Sequence, residues 1–178
     1  MIPALVGALI LAALSTLYDF IWAHFEVRHR VMNGLVHGMT LLSVAGLVFG
    51  WGARRPTAGF VGGAAAGLLA AASFYVLFPL LGYLGGIIGA WMLLLLLFAA
   101  LDAWLRRQPV VSREVVARGA IAALLSGVAF YLVSGMWTDH SNPNYLRNFA
   151  SWTFAFFPGF AAILARRRLP QAEHGRRT

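Results

Sequence analysis

The side chains best equipped for chemistry fall near one another. His24, Glu26 and His29 form an HxExxH run, and Asp19, His37, Asp139 and His140 lie on the same side of the chain once its apolar segments alternate in direction. Zinc and iron accept imidazole and carboxylate ligands, so a metal-dependent intramembrane enzyme using Asp19, His24, His37 and His140 is one chemistry this set could perform. The spacing matches no familiar ligand motif, and the run falls at a helix end and loop rather than on one helix face. A bis-histidine haem needs a second histidine deep in another apolar segment, and none occurs outside the second segment. The chain has no cysteine, which removes disulfides, thiolate metal sites, cysteine nucleophiles and CxxC redox chemistry. No GxSxG, Walker or GxGxxG sequence is present, and Ser43, Ser73, Ser126 and Ser134 have no evident histidine partner.

The segments that hold these groups are too apolar for water. Of 178 residues, 60% are hydrophobic and 11% charged, with mean hydropathy +0.74; a soluble domain carries about a quarter charged residues. The charges lie in short clusters between apolar runs, the pattern of a polytopic membrane protein. All 14 basic residues are arginine, and the net charge is +8. Such a balance suits nucleic acid in a soluble protein, but here the arginines sit at the ends of apolar runs, where they fix orientation and meet anionic headgroups. Arginine without lysine, beside abundant alanine and glycine, is the composition of a GC-rich bacterial genome.

Six runs are long enough to cross a bilayer: 2–23, 33–52, 57–78, 82–105, 115–136 and 149–166. The expected fold is an all-α membrane protein, a six-helix transmembrane bundle over 1–168 with a short basic tail at 169–178. The first run lacks a basic leader and a convincing cleavage site, so it reads as a retained helix. Runs three and four are separated only by Pro79, Leu80 and Leu81 and form a tight hairpin, with Pro79 the natural stop of the third helix. One side of the membrane holds Arg54, Arg55, Arg106, Arg107, Arg113, Arg166, Arg167, Arg168, Arg176 and Arg177; the other holds Arg28, Arg30 and Arg147. That asymmetry places both termini in the cytoplasm, in the inner (plasma) membrane of a bacterium. The turn at 138–148 is then external, with Trp137 and Trp152 as interfacial anchors and Pro143 and its flanking asparagines supplying turn chemistry.

Polar groups inside spans need partners or a task. Asn33, His37 and Thr40 share one face of the second helix, and Asp19 lies at similar depth on the first, so a hydrogen bond between Asp19 and His37 is expected. It reads either as a clasp between two helices or as a grip on a ligand headgroup. Asp102 is spaced to pair with Arg106 at i+4. Gly63/Gly67, Gly82/Gly86, Gly85/Gly89 and Ala123/Gly127 are small-xxx-small pairs that permit close backbone approach, within helices three to five or along a homo-oligomer seam. Phe74, Tyr75, Phe130 and Tyr131 are candidate walls of a gap between glycine-rich helices, with plain packing the alternative reading. A small-solute transporter is a weaker reading, because no internal repeat is found and only Pro158 interrupts a span.

After the fifth span come Ser141, Pro143, Tyr145 and Leu146, then Ser151-Trp152, Phe156-Phe157, Gly159 and the arginines from Arg166. With Asp102 and Arg106 at the end of helix four, this resembles the Insig family of sterol-response membrane proteins and its prokaryotic relatives. The likeness is best over 102–169 and rests on topology over 1–100. There are departures: no cysteine, and only ARRPT where the animal proteins carry a long polar loop. The resemblance implies a non-catalytic lipid receptor without a cofactor or metal. Its cavity binds oxysterol in animals and would hold a neutral two-tailed lipid such as diacylglycerol in a bacterium. On that reading the lipid meets Asp19, His37 and Thr40 at its head and Phe74, Tyr75, Phe130 and Tyr131 along its tails, with Gly127, Ser134 and Trp152 completing the site. Asp102 takes the place of the family's acid that holds Scap, the sterol-sensing escort protein; a bacterium has no Scap, so its protein partner stays unnamed.

Overall fold

The computed structural model describes residues 2–24, 29–134 and 144–164. Among them the chain forms five helices and no strand: α1 (Ile2–His24), α2 (Arg30–Gly52), α3 (Pro56–Leu105), α4 (Arg113–Ser134) and α5 (Tyr145–Leu164). Among the described residues, α1 to α4 contain segments long and apolar enough to cross a membrane. The start of α5 is more polar, carrying Arg147, Asn148 and Ser151.

The 50 residues of α3 fold back on themselves. Gly82 has φ 71° and ψ −179°, a region open essentially to glycine alone. On either side of it, residues 56–81 and 83–105 run as two antiparallel arms. A straight helix would hold Gly62 and Leu101 about 58 Å apart at 1.5 Å per residue, yet a β-carbon on Gly62 would strike the Leu101 side chain. The reversal lies at Gly82 and not at Pro79, which sits inside the helix. Proline loosens a helix by removing one hydrogen bond, whereas reversing the chain here takes a backbone conformation that only glycine adopts.

Close approach sets the packing of the first arm on α2. A β-carbon on Gly46 would collide with the Gly59 carbonyl and lie 2.7 Å from Gly63 Cα. Gly50 meets Gly59, and Gly38 meets the Gly67 carbonyl at 2.9 Å, in the same way. Gly63 and Gly67 are therefore consumed within the chain, against α2 and not against the later helices. Gly85, Gly86 and Gly89 face Leu81, Phe78 and Leu77 across the hairpin. Of the glycines in those pairs, only Gly82 at the turn and Gly127 on α4 have nothing within 4 Å of where a β-carbon would stand.

α1 turns a strip of small residues and Leu11 (Ala4, Ala8, Leu11, Ala12 and Ser15, all buried) inward and packs chiefly on α5, touching α2 much less. α5 carries the aromatic spine of the core. Trp152, Phe156 and Phe160, one turn apart, stack at 5.6 and 5.9 Å between centroids. Phe160 meets Phe49 of α2 at 5.5 Å, and Phe156 meets Trp91 of α3 at 5.3 Å.

Helix ends are capped by local chemistry. Ser112 Oγ accepts from Val115 N–H to start α4, and Asn144 Oδ1 accepts from Arg147 N–H to start α5. This second cap begins α5 about one turn before the apolar run that marks it in sequence.

Candidate functional site

An open cavity of about 350 Å³ lies between α2, the two arms of α3, α4 and α5. Its α2 wall is Gly34, His37, Gly38, Leu41 and Leu42; the first arm of α3 adds Gly67, Ala70, Ala71, Phe74 and Tyr75. The second arm adds Ile87, Ala90, Trp91 and Leu94, and Phe130, Trp152 and Phe156 close it from α4 and α5. The glycines explain why there is space. With no side chains at 34, 38 and 67, α2 and α3 approach at the backbone, and the volume beside the contact is left to the aromatic groups of other helices. The lining is almost wholly apolar.

Polar groups gather at one edge. The Tyr75 hydroxyl lies where a β-carbon on Gly34 would stand. The His37 ring packs on Tyr18 with centroids 3.8 Å apart, and Tyr18 donates its hydroxyl hydrogen to the Asn33 carbonyl at 2.9 Å. Asp19 Oδ2 accepts from Trp152 Nε1 at 3.0 Å and from Asn148 Nδ2 at 3.4 Å. The expected bond between Asp19 and His37 is not formed among the described residues. The reason is the packing of α1: its Asp19 face is turned to α5, and the next residue round the helix, Tyr18, faces His37. Asp19 thus acts on the cavity through Trp152, whose ring it holds in the wall.

Five of the residues expected to meet a ligand are brought together here: His37, Phe74, Tyr75, Phe130 and Trp152. Thr40 is not among them. It lines a side groove of about 220 Å³ between α1 and α2, with Leu14, Leu17, Tyr18, Ile21 and Val44, and shares His37 and Leu41 with the main cavity. Its hydroxyl donates into its own helix, to the Val36 carbonyl at 2.8 Å. Gly127 and Tyr131 lie elsewhere, in an apolar groove of about 380 Å³ between the second arm of α3 and α4. Ser134 ends α4, and its side chain lies outside the described residues.

Sequence reasoning missed Gly34, Gly38, Trp91 and Phe156. The signals were present: Gly34-xxx-Gly38 is itself a small-residue pair, and Trp91 stands alone at the head of a leucine run. The spacing of glycines names no partner helix, which is why the space beside them could not be placed.

Several other polar residues have structural partners. Ser43 and Ser73 donate to carbonyls three residues back. Buried Ser126 accepts the Gly159 N–H at 2.9 Å, next to Pro158, where the proline opens the backbone ladder. Asp102 is 1% exposed; one oxygen takes Arg106 Nε at 2.8 Å and the other faces Arg118 Nη1 at 3.8 Å. Its carboxylate is engaged by these two arginines inside the bundle. His24 stacks on Phe20, with Nδ1 3.0 Å from the Phe20 carbonyl. Glu26, Asp139 and His140 lie outside the described residues. Among the described residues, no three histidines or acids converge on a point where a metal ion could sit.

Among the described residues the fold is all-helical, with membrane-length apolar helices beside an open apolar cavity. No family model, curated protein or solved structure matches the chain.

Proposed function

We propose that the protein is a non-catalytic, Insig-like receptor of an integral membrane lipid, holding a sterol-like or neutral two-tailed molecule in the open apolar cavity between α2, α3, α4 and α5. The observation that carries this reading is the pairing of an apolar chamber with a polar edge of His37, Tyr75 and the Trp152–Asp19 pair. Ligand sites are largely apolar with a few placed polar groups that set orientation. At about 350 Å³ the cavity lies near the lower end of ligand-site volumes, room for one hydrocarbon branch. The side groove of about 220 Å³ joins it at His37 and Leu41 and offers a second branch a path toward the bilayer between loosely packed α1 and α2. A headgroup at His37 with one tail on each side suits diacylglycerol.

On this reading the arms of α3 count as two crossings and α5 as the last of six. The arginine asymmetry then sets both termini in the cytoplasm of a bacterial cell, in its inner membrane. A second copy of the chain, where one binds, has the Ala123–Gly127 face available.

Native mass spectrometry with lipid identification tests the proposal. The purified protein is expected to carry one neutral lipid per chain. Ala90→Trp, which fills the chamber, is expected to lose it, while Gly127→Trp, on the outer groove, keeps it. A lipid-free wild-type chain, or a lipid retained by Ala90→Trp, overturns the reading.

A further inference from the structure

The ends of α2 and α3 are built alike. In each, an arginine takes the left-handed conformation just beyond the helix: Arg54 and Arg107, both with φ 58°. In each, the arginine N–H bonds the carbonyl of a tryptophan three residues back, Arg54 to Trp51 and Arg107 to Trp104, both at 3.0 Å. The following residue reaches one residue deeper, Arg55 to the Gly50 carbonyl at 2.7 Å and Gln108 to the Ala103 carbonyl at 2.8 Å. This is the double bond pattern that usually ends on glycine, because a β-carbon is disfavoured there. Two arginines stand where glycine would be easier.

The two caps are also neighbours. The Arg55 guanidinium lies 4.8 Å over the Trp104 ring and donates to the Trp104 carbonyl at 3.4 Å. A β-carbon on Gly52 would lie 3.9 Å from Arg106 Nη2. Trp51 and Trp104 are exposed, at 75% and 45%, which suits rings at the level of lipid headgroups. Among the described residues the acids at this end are Asp102 and Glu114. Asp102 is taken up by Arg106 and Arg118, and no described ion pair joins Glu114 to Arg54, Arg55 or Arg107. Among the described residues, three arginines therefore face the interface with no acid to neutralise them.

We propose that the paired Trp51–Arg54 and Trp104–Arg107 caps, with Arg55 between them, form a binding site for the phosphate of an anionic glycerophospholipid. Guanidinium groups bind phosphate oxygens in bidentate fashion, and the two tryptophans flank the glycerol backbone at the interface. The site is separate from the apolar cavity and does not depend on what that cavity holds.

The test offers delipidated full-length protein equal amounts of phosphatidylglycerol and phosphatidylcholine with the same acyl chains, and reads bound lipid by native mass spectrometry. Wild type is expected to prefer phosphatidylglycerol. Arg54→Gly with Arg107→Gly is expected to cut that preference by about 25-fold, about fivefold for each arginine. Glycine suits both backbone positions, so the variant keeps or raises the wild-type unfolding temperature. Should it not fold, Arg54→Gln with Arg107→Gln carries the same comparison, and Arg54→Lys with Arg107→Lys retains part of the preference. Equal binding of the two lipids by wild type, or a full preference in the glycine variant, overturns the site. Loss of the preference in excess inorganic phosphate makes it a site for free anion and overturns the lipid assignment.

Discussion

Asp102 shows how a charge is tolerated within this bundle. Burying a carboxylate is costly unless another charge and hydrogen bonds accompany it. Here Arg106 comes from the next turn of the same helix and Arg118 from α4, whose Nη1 also reaches the Ile163 carbonyl at 3.5 Å. The acid thus joins α3, α4 and the end of α5. Asp102→Ala leaves two partly buried guanidinium groups without their counter-charge and is expected to lower stability by about 3 kcal/mol. Thermal unfolding in detergent checks this, and Asp102→Ala combined with Arg118→Met should recover part of the loss. An unchanged unfolding midpoint in Asp102→Ala would instead return the acid to a partner-binding role. The i+4 pairing was legible in the sequence because it is local. The second arginine was not, because Arg118 reaches Asp102 only through the packing of α4 on the second arm of α3.

Two glycines illustrate two ways in which this residue shapes the helices. At Gly82 a β-carbon would meet nothing within 4 Å, so the requirement is one of backbone conformation alone. At Gly46 the conformation is ordinary, and the requirement is contact, with the Gly59 carbonyl and Gly63 Cα in the way. Gly82→Ala is expected to cost about 1–3 kcal/mol. Gly82→Asn does no better, since ψ −179° lies outside the left-handed region that asparagine tolerates. Gly46→Ala forces α2 and the first arm apart, at about 1–3 kcal/mol for overpacking, and disturbs the cavity between them. Unfolding midpoints measure both, and lipid retention separates them: the Gly46 variant loses ligand while the Gly82 variant keeps it. Existence of the apolar helices could be read directly, since length and apolarity are local properties. The turn could not be placed to the residue, because Pro79 and Gly82 are both helix breakers within one turn and only the coordinates separate a kink from a reversal. The α2–α3 seam was half legible: Gly63 and Gly67 marked a contact without naming α2 as its other side.

Across the whole molecule, the cavity follows from which helices meet, and that order is not chain order. α1 passes over α2 to pack on α5, and this draws Trp152 and Asp19 together from opposite ends of the sequence at 3.0 Å. Pairing consecutive helices predicts Asp19 against His37 instead; the packing brings Phe74, Tyr75, Phe130 and Trp152 to one cavity, leaves Tyr131 in another groove, and turns Asp19 to α5. The same arrangement makes the proposed topology testable, because a chain with no cysteine reports single introduced cysteines without background. With six crossings, cysteines at Ala53 and Gln108 share one face of the membrane, while Leu81 at the hairpin tip and Asn144 at the start of α5 share the other. In intact bacterial cells a membrane-impermeant maleimide is expected to label Leu81→Cys and Asn144→Cys, and to label Ala53→Cys and Gln108→Cys only after permeabilisation. Labelling of Leu81→Cys together with Ala53→Cys would mean that the first arm of α3 does not cross. The reversal at Gly82 would then lie at the same surface as the arginine caps, and the six-crossing topology would be lost with it.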